Sequence, residues 1–341
     1  MRAAWIERWG GPLRVGERDD PEPGEGEVLV EVEACGIGLT VLNCIRGDLG
    51  DDEGDLPRIP GHELVGTIVG CGESVDPGRA GERIAAYFYL VCGRCERCLA
   101  EEEPLCTASA GYLGVHRDGG YGRRVCLPAR NALTLPEGIE PVPATAIPDA
   151  IATPVHVASR AGIGPGDRVA VIAAGGGVGV HMVQVAALAG AEVLGLEASP
   201  AKLGYLEDEL GVGAADSSDF DAVELPRGWE PGADVIVDLL GSEESLAWAH
   251  ASVAPRGRMV VLTTFPGVGF AASPRDLVFG ETAVMGSRYA SRGEVLQAAR
   301  LVAEGRVDPV VSLTVGVDEV ERAHEALRGG ELVGRAALAW D

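Results

Sequence analysis

The chain has 341 residues, 46% of them apolar, and carries 28 Lys and Arg against 52 Asp and Glu, a formal net charge of −24. A chain of this length buries roughly three-quarters of its unfolded surface and can divide into two domains. The acidity argues against nucleic acid or an anionic membrane as partner; with no run of ~18 apolar residues and no charged-then-apolar leader, neither a membrane span nor a signal peptide is expected.

From residue 1 to about 149, short apolar runs alternate with Gly and Pro turns. Residues 28–32 and 64–69 are predicted as strands. The acidic run 50–55 between them reads as a solvated loop. Next comes Cys92-Gly93-Arg94-Cys95-Glu96-Arg97-Cys98, closed by Cys106. Four thiolates at this spacing on one lobe, about 92–106, suit a tetrahedral, fully protein-ligated zinc of the structural kind better than paired disulfides. The other cysteines, Cys35, Cys44, Cys71 and Cys126, are scattered. That usage fits a reducing cytoplasm rather than a secreted disulfide framework.

From about 150 to 286 the texture changes to alternating β and α units. Strands are predicted at 168–172, 192–196, 234–238 and 259–262, with a helix at 180–189. This is the doubly wound parallel pattern. The turn after its first strand reads Ala173-Ala174-Gly175-Gly176-Gly177-Val178-Gly179. Gly176 and Gly179 hold the second and third positions of Gly-x-Gly-x-x-Gly, and Ala174 the first. Small residues there let backbone N–H groups approach a pyrophosphate at a helix N-terminus. Glu197 follows about 20 residues on, at a strand end. Its carboxylate can accept from an adenosine ribose diol and would repel a 2′-phosphate, so NAD is favoured over NADP. Lys202, the chain's one lysine, is grouped with Gly175, Gly176, Gly177, Val178, Gly179 and Glu197 as cofactor-binding. The strand 283–287 is predicted as a sheet edge, and amphipathic helices are predicted at 292–305 and 317–327.

Taken together, these residues resemble the medium-chain dehydrogenase/reductase family, the zinc alcohol dehydrogenases. The resemblance rests on the opening 21–30, Gly61-His62-Glu63, the cysteine lobe, the Rossmann turn, the stretch 232–238 and the closing Gly334-Arg335, all in family order. It implies an α/β protein with a GroES-like, β-rich catalytic domain from both ends of the chain, 1–149 and 287–341. A Rossmann NAD-binding domain, 150–286, is inserted between them. It also implies that Arg335 lies near the cofactor phosphates, and that the chain pairs with copies of itself along the sheet edge.

The resemblance fails at one place. Aligned without gaps, the family's Cys-x-Ser/Thr-Asp-x-His segment is here Gly38-Leu39-Thr40-Val41-Leu42-Asn43. The zinc-ligating cysteine has become Gly38, the aspartate Val41 and the relay histidine Asn43. Thr40 is kept, as are His62 and, at the third ligand's place, Asp149. Three arrangements are open. Zinc can be held by His62, Asp149 and Glu63; the site can work without metal; or Cys35 or Cys44 can supply the missing thiolate. Two ligands alone are too few for a firm site.

The reading is therefore an NAD(H)-dependent oxidoreductase of the alcohol dehydrogenase type with one structural zinc, moving hydride between nicotinamide and a small alcohol or carbonyl. The catalytic residues are Thr40, His62, Glu63 and Asp149. Two alternatives accompany it: zinc-independent reduction of an activated C=C bond, and a non-catalytic NAD-binding protein.

Overall fold

The computed structural model describes residues 1–340 except Pro266. The chain forms two compact units. One comprises Met1–Ala152, Ala290–Gly305 and Pro309–Asp341, and the other Thr153–Tyr289 with Arg306–Asp308.

The first unit is built on the strand Glu27–Ile37. Val28, Val30, Val32 and Ala34 are fully buried, while the residues between them are half-buried. That alternation is the period of a strand with one face on a core. It stops at Cys35, and from there to Ile37 every residue is buried. Here the strand is clamped between antiparallel neighbours, with Gly36 opposite Glu63 on Glu63–Cys71 and Ile37 opposite Ala336 on Arg335–Ala339. The register therefore brings Gly36, Glu63 and Arg335 together from positions up to 299 residues apart. Among the described residues the sheet has seven strands, with Glu63–Cys71, Arg83–Ala86 and Ala132–Thr134 following on one side. Helix Leu39–Arg46 leaves the end of the central strand.

The second unit holds six parallel strands among the described residues, in spatial order Gly213–Asp216, Glu192–Glu197, Arg168–Ile172, Ala233–Asp238, Val253–Val261 and Ala283–Gly286. Val169 and Val171 pack into one core cluster and Ala170 and Ile172 into the other. Both faces of the strand are buried, which explains its unbroken apolar run. The strand predicted at 259–262 begins earlier, at Val253. Pro255 and Gly257 hide its start from a pattern search, and the pairing with its neighbour shifts register there. The helix predicted at 317–327 is a 3₁₀ turn, Val317–Glu319, running into helix Val320–Arg328. The helix Arg292–Ala303 opens with a reciprocal cap between Ser291 and Glu294. Part of the acidic run is ordered as a 3₁₀ turn at Glu53–Asp55, capped by Asp52 on the Gly54 N–H. Among the described residues no helix is long and apolar enough to cross a membrane.

Candidate active site

Four of the predicted residues converge inside the first unit. His62 ends the approach to strand Glu63–Cys71, and Glu63 begins it. Asp149 is carried by a π-type turn, Ile147–Ile151; such turns displace a side chain from the regular helical ladder. His62 Nε2 stands 3.3 Å from Asp149 Oδ2. The ring of Phe88 packs edge-on against His62, centroids 4.5 Å apart. Arg335 donates from Nη2 to Glu63 Oε1 at 2.8 Å and lies 3.7 Å from Asp149 Oδ2. The Glu63 side chain has no exposed surface and that of Arg335 has 9%. Burial pushes the Glu63 carboxyl above its usual range, with the Arg335 guanidinium pulling the other way. Glu63 Oε2 and Arg335 Nε are buried without a hydrogen-bond partner among the described residues. Donor atoms of His62, Glu63 and Asp149 lie within 4.8 Å of one another.

Gly38 caps the N-terminus of helix Leu39–Arg46 with φ −129°. A Cβ built on it would meet Arg335 at 2.6 Å from Nη1, 2.9 Å from Cζ and 3.3 Å from Nη2. Thr40 stands half-buried in the first turn of that helix. Asn43 faces the helix's other end, its Oδ1 accepting from Arg46 Nη2 at 2.5 Å. The cysteines near this site are engaged elsewhere. Cys44 Sγ donates to the Gly114 carbonyl at 3.1 Å, and burial lifts its thiol to about 12. Cys35 is fully buried, and desolvation raises its thiol well above the ordinary value.

Sequence reasoning missed Arg335 as a member of this cluster. It also missed a buried hydrogen bond between Tyr121 Oη and His324 Nε2, 2.9 Å long. The first was signalled by the Gly334-Arg335 pair; the second links residues 203 apart with no motif around them.

The residues predicted to bind the cofactor lie in the second unit, except Arg335, which the structure places in the first unit beside Glu63. Glu197 accepts from the Gly175 N–H through Oε2 and from the Ala198 N–H through Oε1, both at 3.0 Å. Its carboxylate is thus pinned at the strand end beside the glycine turn. The stem of Lys202 lies over Gly175, its Cβ 2.6 Å from where a side chain there would start. At Gly179 a Cβ would strike the Ala173 carbonyl, so only glycine lets helix Gly179–Leu188 pack this closely. His181 is buried, its Nδ1 2.7 Å from the Gly177 carbonyl, and braces the turn.

The cysteine lobe also closes. Sγ of Cys92 lies 3.9 Å from Cys98, and Sγ of Cys95 lies 3.5 Å from Cys98 and 3.9 Å from Cys106. A tetrahedral zinc with Zn–S bonds of ~2.3 Å requires sulfurs ~3.8 Å apart. Backbone N–H groups of Cys98 and Thr107 hold the Cys95 thiol down to about 5, while burial and the neighbouring sulfurs push Cys98 up to about 12. A dication would relieve that competition among close thiolates.

A β-rich unit with a buried His–Asp–Glu–Arg cluster, joined in one chain to a parallel sheet with a glycine turn and a pinned acid, defines a dinucleotide-dependent oxidoreductase. The chain belongs to the zinc-type alcohol dehydrogenases of the medium-chain dehydrogenase/reductase family. Residues 24–137 match the alcohol dehydrogenase GroES-like domain, and residues 177–304 match the zinc-binding dehydrogenase domain. It is 30% identical over 340 residues to an alcohol dehydrogenase of Geobacillus stearothermophilus, covering 99% of this chain and 98% of that protein. It is 28% identical to an acryloyl-coenzyme A reductase of Metallosphaera sedula, covering 99% of both. Among solved structures, an NAD-dependent alcohol dehydrogenase superposes with a TM-score of 0.89 at 30% identity, covering 100% of both chains.

Proposed function

We propose that the chain moves hydride between NAD(H) and a small alcohol or carbonyl, with Thr40, His62, Glu63 and Asp149 as the substrate-side residues. The observation that carries this reading is the Glu197 carboxylate fixed beside the glycine turn. A bound nicotinamide supplies or accepts the hydride. The chain's part is to receive the pyrophosphate on backbone N–H groups at the start of helix Gly179–Leu188, to accept the ribose hydroxyls on Glu197, and to keep a 2′-phosphate away by charge. The NAD-dependent relative supports the same choice. The test is cofactor oxidation with small carbonyl substrates. The wild type is expected to use NADH at least ~10-fold better than NADPH by kcat/KM, and Glu197→Ser to lose that preference. Equal use of both by the wild type would defeat the assignment. Absence of hydride exchange with every substrate would favour a non-catalytic NAD-binding protein.

One zinc is assigned to Cys92, Cys95, Cys98 and Cys106, whose sulfur spacing fits it. For the second site we take Gly38 as the position of the family's thiolate ligand. His62 and Asp149 are spaced as two ligands of one ion would be. However, Gly38 offers no donor, Glu63 Oε1 is held by Arg335, and the guanidinium lies where a side chain at 38 would begin. A resident zinc, which needs three protein ligands beside its open position, would have to take Glu63 Oε2 as the third donor beside His62 and Asp149, since Gly38 supplies none. The missing thiolate favours a second reading, reduction of an activated C=C bond, and the acryloyl-coenzyme A reductase relative points the same way.

We also propose self-association. Strand Ala283–Gly286 is the edge of its sheet, with Val284 41% exposed, and Val278 and Phe279 on the preceding helix are 70% and 76% exposed. An apolar strand edge of this kind invites pairing with a copy. Light scattering is expected to give a dimer or larger; a monomer mass at every concentration would refute it. A four-cysteine metal lobe with Cys35, Cys44, Cys71 and Cys126 scattered fits a reducing, cytoplasmic setting.

A further inference from the structure

We propose that the open cavity at the base of the cysteine lobe binds a phosphate monoester that carries a small apolar group. The cavity lies wholly within the first unit, whereas the glycine turn and Glu197 belong to the second.

The cavity holds about 340 Å³ and is walled by three stretches of chain. Leu90, Val91 and Arg94 come from the entry to the lobe, and Arg117 from the stretch that follows Cys106. Pro128 ends strand Arg124–Pro128, and Arg130 stands in the 3₁₀ turn Ala129–Asn131 after it. Leu90 and Val91 are buried and, with Pro128, give the cavity an apolar side. The three arginines give it a cationic one.

In a chain with 52 acids against 28 Lys and Arg, this is a local reversal of sign. A cleft lined by one sign of charge concentrates the opposite ion. Among the described residues, the one carboxylate paired with any of the three arginines is Glu27, whose Oε1 accepts from Arg117 Nη2 at 2.6 Å. Arg130 donates from Nη1 to the Cys92 carbonyl at 2.5 Å. The neighbouring Asn131 is tied to the carbonyls of Tyr87 and Tyr89, so this turn is fixed. Two guanidiniums are therefore oriented in advance, which lowers the ordering cost of binding. The Arg94 side chain is exposed and makes no hydrogen bond or ion pair among the described residues. It is the movable third arm.

These cations are not spent on the cysteine cluster. The N–H groups found on its sulfurs are backbone ones, of Cys95 on Cys92 and of Cys92 on Cys106. None is a guanidinium's, among the described residues. Three arginines less Glu27 leave two positive charges. A phosphate monoester at neutral pH carries close to two negative charges and presents three acceptor oxygens, and guanidinium forks grip such a group at two points each. A carboxylate would answer only one of the charges. The room beside the phosphate suits an apolar group laid against Leu90, Val91 and Pro128.

The test is calorimetric titration of the zinc-loaded full chain with phenyl phosphate and with inorganic phosphate, near neutral pH and at constant ionic strength. NADH is kept in excess so that the cofactor turn is already filled. Phenyl phosphate is expected to bind, and Arg94→Ala and Arg130→Ala each to weaken it at least ~10-fold, the cost of one charged hydrogen bond. Arg97→Ala, on the same lobe but paired with Glu102, should leave binding unchanged. Should Arg130→Ala fail to fold, Arg94→Ala decides, since that side chain has no hydrogen bond or ion pair to lose in the free protein. Inorganic phosphate should bind more weakly than phenyl phosphate; equal affinity would overturn the monoester assignment. Absence of phenyl phosphate binding under NADH would overturn the site, and so would an Arg94→Ala affinity equal to wild type or a matching loss in Arg97→Ala.

Discussion

Truncation of Arg335 to alanine is expected to destabilise the chain by about 3–5 kcal/mol, the usual result of stripping one partner from a buried ion pair. The reason is Glu63. Its side chain has no exposed surface, one oxygen depends on Arg335 Nη2, and the other has no partner among the described residues. Without the guanidinium, the carboxylate must either stay charged in a dry site or take up a proton. A void also opens over Gly38, adding a packing loss. The double variant Arg335→Met with Glu63→Gln should recover most of the loss. Both charges leave together, and the methionine fills part of the arginine's volume. Equilibrium unfolding of the wild type, both single variants and the double closes the cycle. A coupling above about 2 kcal/mol is expected. A loss below about 1 kcal/mol for Arg335→Ala would mean that solvent or another cation reaches Glu63, and that Arg335 is not what keeps this site closed.

The same pair marks where the sequence stops being readable. Local motifs carried a long way. The continuous apolar run at 168–172 became a strand buried on both faces. The glycine turn and Glu197 came together as their spacing implied, and four cysteines within 15 residues closed into one cluster. Each of these depends on neighbours close in the chain or on one βα unit. The Arg335–Glu63 pair spans 272 residues and exists because two strands from opposite ends of the chain flank Glu27–Ile37. Sequence marked Gly38 as a loss; the structure adds what fills the space, which no local pattern encodes. Helix Leu39–Arg46 was missed for a simpler reason. It is eight residues long, lacks a side-chain cap and has no acid in its first turn, so few start signals mark it. The late start assigned to Val253–Val261 has the same kind of origin, since proline and glycine inside a strand mimic a turn.

Removing zinc is expected to unfold the lobe 92–106 while leaving the rest of the chain folded. The lobe has almost no core of its own. Cys92, Cys95, Cys98 and Cys106 are half-buried, Leu99 is 73% exposed and Leu105 50% exposed. Its backbone runs through one short helix, Glu96–Leu99, and a 3₁₀ turn, Glu103–Leu105; neither is long enough to persist alone. Local ties are few. Arg97 pairs with Glu102 at the surface, and Arg130 donates to the Cys92 carbonyl at 2.5 Å. An exposed pair of the first kind contributes little. A structural zinc on four thiolates contributes on the order of 10 kcal/mol of apparent binding energy, which exceeds everything else holding the lobe. Cys95→Ser, or prolonged chelation, should take the zinc content from about one to about zero. It should also expose Arg94 and Arg97 to trypsin, giving two fragments that meet inside the lobe. The base of the lobe should hold, because Asn131 anchors the carbonyls of Tyr87 and Tyr89 from outside it, at 2.6 and 2.8 Å. Cleavage spread over the whole chain would show instead that the lobe and the β unit fold as one. Resistance to trypsin after complete zinc loss would show that the thiols and backbone hold this shape without an ion.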